Sequence, residues 1–156
     1  MNGAQDETAT LWFLVRQVAA RMDRAGDALY RGGLGLSLAQ FLVLSVVDAH
    51  PGPLNQKSIA ARLGLTKGTV SRQIDSAVAA GFMIVEPAPH SRRENAVRLT
   101  PSGEALVRKG DALLAESLRR DMPQFSPDEL SLTVRTLSAL NAALGGDPVP
   151  EWNGGS

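Results

Sequence analysis

The chain has no cysteine, which removes disulfides, thiolate zinc sites and cysteine-based redox switching from the chemistry open to it. It has no apolar run approaching the roughly 20 residues of a membrane-spanning helix. The opening residues, MNGAQDETAT, place no basic region ahead of an apolar one, so no secretory signal is expected and a cytoplasmic location is. Histidine occurs only twice, at His50 and His90, far apart in sequence and both in turn-like contexts. With no zinc spacing, nucleophile elbow or phosphate loop beside them, no catalytic residue, metal site or cofactor is expected, and the chain does not read as an enzyme. Neither charge is in excess, with 16 basic and 16 acidic residues. That balance conceals segregation. Between Asn55 and Thr100 seven cations stand against three anions, a net of +4, so the remainder carries −4. A cationic middle is what a nucleic-acid partner requires.

What is present is 156 residues with 44% hydrophobic and 21% charged content, enough for one domain with a real core and an appended helical part. The stretch Leu54 to Gly81 organises it. Asn55 is a helix cap, with Leu54 and Ile59 placed as a hydrophobic staple, and Gly64 after Leu63 suits a left-handed helix end. Thr66 caps again, with Leu65 and Val70 as the second staple. Two helices joined by so short a turn cross steeply, as in a helix-turn-helix. In the second, Val70, Ile74, Ala77 and Val78 fall on one stripe expected to be buried, and Gly81 closes the helix. Gly68, Thr69, Arg72 and Ser76 fall opposite, flanked by Lys67, Ser71 and Gln73. Small hydroxyls, a glycine and cations suit close approach to phosphates and base edges in a major groove.

Before this unit, Leu11, Leu14, Val15, Val18, Met22, Ala25 and Leu29 recur at helical spacing after a polar lead. The run Arg31, Gly32, Gly33, Leu34, Gly35 is read as a loop, since no Gly-Lys-Ser/Thr follows and no strand precedes it. Ser37 caps a helix through Leu38, Phe41, Leu42, Leu44 and Val47, too apolar all round for the surface and therefore central. After Gly81, Phe82 to Val85 and Ala96 to Leu99 are β-prone, and Glu86 to Asn95 is read as a polar loop between them, a wing with Arg92 and Arg93 at its tip. Such arginines are long enough to reach a neighbouring minor groove. Thr100 and Pro101 start a helix that Pro123 stops; Ser126 to Glu129 is a capping box opening a last helix through Leu130, Val134, Leu137, Leu140 and Leu144.

The expected fold is mainly α with a small β-hairpin wing (α+β). It comprises an N-terminal dimerisation helix (1–36), a winged helix-turn-helix (37–100), C-terminal dimerisation helices (101–145) and a disordered tail (146–156). The outer helices carry more apolar surface than the reading unit can cover, which points to a two-fold homodimer. Its two recognition helices would face successive major grooves of double-stranded DNA about 34 Å apart, over a pseudo-palindromic operator.

Ser37-Leu-Ala-Gln-Phe-Leu-Val-Leu, Asn55-Gln-Lys-Ser-Ile-Ala-Ala-Arg-Leu-Gly-Leu-Thr, Gly68-Thr-Val-Ser-Arg, Ala80-Gly-Phe, Arg92-Arg93 and Val97-Arg-Leu-Thr-Pro-Ser-Gly together resemble the multiple antibiotic resistance regulator (MarR) family of bacterial transcription factors, from Leu11 to Leu144. The resemblance implies a dimeric DNA-binding regulator, usually a repressor released by a small, often phenolic or anionic, ligand. By position it implies Thr66 to Gln73 as the reading face and Arg93 as the wing arginine. It also implies an effector pocket where the dimer helices meet the reading unit, for which Trp12, Phe13, Arg16, Tyr30 and His50 are candidates. Ser91 stands where the family usually has an Asp two residues before the wing arginine, and Val85 and Glu86 stand where it often has arginines. The alternative is a winged-helix module, an antirepressor or adaptor, that binds protein and not specific DNA.

Overall fold

Helix α2 (Leu38–Asp48) is the centre of the molecule because both of its ends and most of its faces are satisfied from within the chain. Ser37 accepts from the Gln40 backbone N–H at 3.1 Å, and the Gln40 side chain accepts from the Ser37 N–H at 2.7 Å. This reciprocal cap pairs two of the donors that a helix start leaves open. Phe41, Val43, Leu44 and Val47 are buried along it, as an all-round apolar helix must be.

The computed structural model describes residues 3–148, with side chains from residue 6 on. α1 (Gly3–Leu34) and α2 precede a pair of shorter helices, α3 (Gln56–Leu63) and α4 (Lys67–Ala79). Strands β1 (Met83–Ala88) and β2 (Ser91–Leu99) form an antiparallel pair, and α5 (Pro101–Asp121) and α6 (Pro127–Ala143) follow. The core joins α2, α3, α4 and the strands through Leu44, Val47, Leu54, Ile59, Val70, Ile74, Met83 and Val97, and the first turns of α5 enter it through Leu106 and Val107. Leu54 pairs with Val97 as a one-residue extension of the wing sheet. Thr100 locks the wing's base to α4, donating from Oγ1 to the Gly81 carbonyl at 2.7 Å and from its N–H to the Phe82 carbonyl at 3.0 Å.

Three glycines set how closely the helices approach. A Cβ at Gly110 of α5 would lie 2.0 Å from the Phe41 ring, and one at Gly103 would lie 2.2 Å from the Phe82 carbonyl. A Cβ at Gly33 would stand 2.4 Å from Leu113 Cδ1. This last contact corrects the loop reading of residues 31–35: α1 continues through Gly32 and Gly33, of which Gly33 packs against α5, and the turn comes only at Gly35, whose φ is +69°. The polar lead is likewise helical from Gly3 on. The tail expected at 146–156 lies outside the described residues from 149 on.

The wing also departs from expectation. Residues 86–95 are not an open loop, since strand pairing continues through Glu86–Ala96 and Pro87–Asn95 and resumes at Ala88–Ser91. Proline has no N–H to give the ladder, and at Pro87 the register breaks. Arg92, Arg93 and Glu94 bulge out on β2 opposite that break.

Outside the core, α6 buries no residue. Phe13 on α1 is 70% exposed and Val134 on α6 is 62% exposed, and Leu14, Val18, Met22, Leu118, Met122, Phe125, Leu130 and Leu137 are exposed with them.

Tyr30, the single tyrosine, is 2% exposed and stacks on Phe41 with ring centroids 4.0 Å apart. Burial pushes its hydroxyl up to about 12, with the Asp111 carboxylate adding to the shift. A folded-state value above the unfolded one favours the protonated fold, so the stability this confers is complete below pH 10 and is lost as pH rises toward 12. Ultraviolet titration of the lone tyrosine should show a midpoint about two units above free tyrosine, coincident with alkaline unfolding. Tyr30→Phe should remove that loss of stability. A midpoint near 10 in the folded protein would contradict the packing.

Candidate nucleic-acid interface

The face of α4 turned from the core is built by its cap and its stripe. Thr66 accepts from the Thr69 N–H at 3.2 Å, and the two hydroxyls lie 2.9 Å apart. Asn55 caps α3 in the same way, accepting from the Ser58 N–H at 2.8 Å, and Gly64 ends α3 in the left-handed region with φ +63°. Val70, Ile74 and Ala77 are buried, which fixes the helix's rotation. Val78, expected on the same stripe, is exposed at 39%. At about 100° per residue it falls about 80° round from Val70, at the edge of the buried stripe, whereas Ile74 and Ala77 stay within about 40° of it.

With that rotation Lys67, Gly68, Arg72 and Ser76 are exposed, and Thr69, Ser71 and Gln73 are partly covered. A Cβ at Gly68 would meet nothing within 4 Å, so no packing inside the chain requires a glycine there. Asp75, absent from the sequence expectation, is also exposed on the outward side. Helical spacing of three from Arg72 was the available signal. Gln73 and Ser76 sit on the flank nearest α2, beside a cavity of about 20 Å³ that Leu36, Gln40, Leu44, Ala77 and Phe82 also line.

Arg92 and Arg93 are exposed in the β2 bulge. Ser91 accepts from the Arg93 backbone N–H at 3.3 Å. The hydroxyl thus holds the bulge's backbone in the manner of a short polar side chain bonding two residues on, so the position is not left without a brace. Farther down, Arg98 donates to Glu86 across the strands at 3.2 Å. Glu86 takes one cation of the wing stem out of play. Among the described residues Lys67, Arg72, Arg92 and Arg93 enter no ion pair.

The five effector candidates are not gathered in one chain. Trp12, Phe13 and Arg16 lie exposed on the first half of α1, Tyr30 is in the core against Phe41, and the His50 ring is bonded to Gly52 in its own turn. His50 does line a cavity of about 180 Å³ with Asp48, Glu104, Val47, Val97 and Leu99. Burial and Glu104 push the Asp48 carboxyl up against the opposing pull of Arg108, and burial and Asp48 push Asp111 up. One Asp111 oxygen has no hydrogen-bond partner. No cluster suited to a metal ion occurs among the described residues, and none of their helices is singly long and apolar enough to cross a membrane.

Two helices joined by a three-residue turn, the second capped and cationic, with a two-stranded arm locked to its far end, define a winged helix-turn-helix protein. Residues 34–94 match the model of the MarR family. The HTH-type transcriptional regulator YhjH of Bacillus subtilis (strain 168) is 37% identical over 71 residues, 46% of this chain and 40% of that protein. The regulator YkoM of the same organism is 30% identical over 95 residues, 61% of each. The chain therefore matches less than two thirds of the length of either curated relative.

Among solved structures, the S. aureus MepR–DNA complex aligns with a TM-score of 0.71 at 23% identity, over 85% of this chain and 96% of that one. CouR from Rhodococcus jostii RHA1, bound to p-coumaroyl-CoA, aligns at 0.74 and 20% identity, over 83% and 90%. At such identities the likeness is one of fold. The chain is thus similar to the MarR family over residues 34–94, less than half of its length, and shares the fold of these solved structures.

Replacing Thr66 by Ala strips the α4 cap and should cost about 1 kcal/mol of unfolding free energy, measured by urea denaturation. No change in stability would mean that the hydroxyl pair at Thr66 and Thr69 does not hold the helix start.

Proposed function

We propose that this chain is a homodimeric, cytoplasmic transcriptional regulator that binds a pseudo-palindromic operator in double-stranded DNA and represses until a small ligand releases it. One observation carries the reading: cations in no ion pair among the described residues, Lys67 and Arg72 on α4 and Arg92 and Arg93 on the wing, stand exposed around a glycine that no packing among those residues requires. Unpaired cations release counterions on meeting phosphates, and a bare helix start admits a close surface. The DNA and acyl-CoA in the MepR and CouR structures support the same reading by fold.

The roles differ by position. Thr66, Lys67, Gly68, Thr69, Ser71, Arg72, Gln73 and Ser76 form the major-groove face, with Arg72 at its middle, and Arg92 and Arg93 reach the flanking backbone or minor groove. The exposed apolar face of α1, distal α5 and α6 is the dimer surface, since patches of that extent rarely stay open in water. Trp12, Phe13 and Arg16 lie on the part of α1 that a partner would cover, so an effector site using them is completed only in the dimer. Their indole, phenyl and guanidinium groups fit a small aromatic or anionic ligand. Tyr30 and His50 are engaged within the chain and stand apart from such a site.

The rival reading, a protein-binding module, draws on the Glu86–Arg98 pair, which leaves the wing stem neutral. The unpaired cations nearer the tip favour DNA.

Arg72→Ala should lose about 1–3 kcal/mol of discrimination at one base position, the worth of a bidentate contact to guanine. Arg93→Ala should weaken binding evenly across sequences and flatten the salt dependence by about one unit. Fluorescence polarization against genomic fragments at several salt concentrations measures both. Unchanged binding in both variants would refute these assignments, and an absence of salt-sensitive binding by the wild type would favour the protein-binding module.

A further inference from the structure

The Gln40 side chain bonds two elements at once. Its amide oxygen accepts from the Ser37 N–H at 2.7 Å, closing the cap of α2. Its amide nitrogen donates to Ser76 Oγ on α4 at 3.3 Å, the one side-chain hydrogen bond between α2 and α4 among the described residues. The next N–H of the same helix start, that of Leu38, donates to Asp27 of α1 at 3.0 Å, and Asp27 is itself bonded to Arg31 at 2.6 Å. A continuous polar line thus runs from α1 through the N-terminus of α2 to the recognition helix.

Apolar packing alone would leave α4 some freedom to roll on α2. The cavity of about 20 Å³ beside Gln40, Gln73 and Ser76 shows that the side chains there do not fill the space between the two helices. The directional contact from Gln40 lies on that loosely filled side. Because one amide holds both the cap and Ser76, α4 cannot roll without either breaking the Ser76 bond or loosening the cap.

We propose that Gln40 is a positioning residue that sets the orientation of recognition helix α4 relative to α1, and that Ser76, counted above with the major-groove face, serves that face by bonding Gln40 and not by touching DNA itself. The second statement rests on the DNA-binding reading above; the first does not.

Two spin labels on the full chain, at Ala20→Cys on α1 and Ala79→Cys on α4, report the α1-to-α4 distance. The chain has no native cysteine to label in their place, and dilution with unlabelled protein isolates the intrachain pair. The parent should give one narrow distance distribution. Gln40→Ala and Ser76→Ala should each at least double its width, whereas Ser37→Ala, which loses a cap hydroxyl but keeps the Gln40–Ser76 bond, should leave it narrow. A width unchanged in Gln40→Ala overturns the positioning role whether or not the protein binds DNA.

On a genomic fragment that the wild type retains, Gln40→Ala and Ser76→Ala should each weaken binding about five- to tenfold, the worth of one hydrogen bond. The double variant should lose no more than the larger single loss. Losses that multiply in the double variant would show Ser76 contacting DNA independently and overturn the shared role. Wild-type protein that retains no fragment would refute the DNA-binding reading and leave the distance result to decide the positioning role.

Discussion

The ring of Phe41, stacked on the Tyr30 ring and with its Cε2 and Cζ edge against the bare backbone of Gly110, is the contact on which the rest depends. It brings α1, α2 and α5 together at one point, with no room for even a methyl group on α5. Truncating a buried phenylalanine costs about 3–5 kcal/mol, a large share of a small domain's net stability. Because α2 is fixed there, its other faces become the platform on which α3, α4 and the wing assemble. The direction in which Arg72 points depends on how α4 packs on a helix that this joint holds in place.

Much of this was legible in the sequence because the relevant physics is local. Ser37, Asn55, Thr66, Thr100 and Ser126 each cap the helix expected of them, since a side-chain oxygen three residues before an open N–H needs no tertiary information to find it. The buried character of α2 followed from its lack of any polar face, and the left-handed end at Gly64 from the residue type. The exposed cations at Lys67, Arg72, Arg92 and Arg93 stand where helical spacing and the charge count put them.

What the sequence withheld depends on distant residues. Gly32 and Gly33 look like a loop until Leu113, eighty residues away, is seen packed against Gly33. The wing looked like a loop because its composition is polar, yet strand pairing is a matter of backbone partners, and only Pro87 interrupts it. The Glu86–Arg98 pair requires knowing the strand register, and the Gln40–Ser76 bond requires knowing the crossing of α2 and α4. The proposed effector residues are the least legible of all: a site shared between two chains, as proposed, would leave no spacing signature in one, and the single chain scatters Trp12, Tyr30 and His50 over separate surroundings.

The exposed apolar face of α1, α5 and α6 and the exposed cations of α4 and the wing are two parts of one proposed device, in which a dimer presents two recognition helices at a fixed separation. Hydroxyl-radical footprinting on a retained genomic fragment tests that device most directly. The account predicts two protected blocks of similar sequence in opposite orientation, centred about one helical turn, roughly 34 Å, apart on one face of the duplex. A single protected block, or protection without two-fold symmetry, would contradict it.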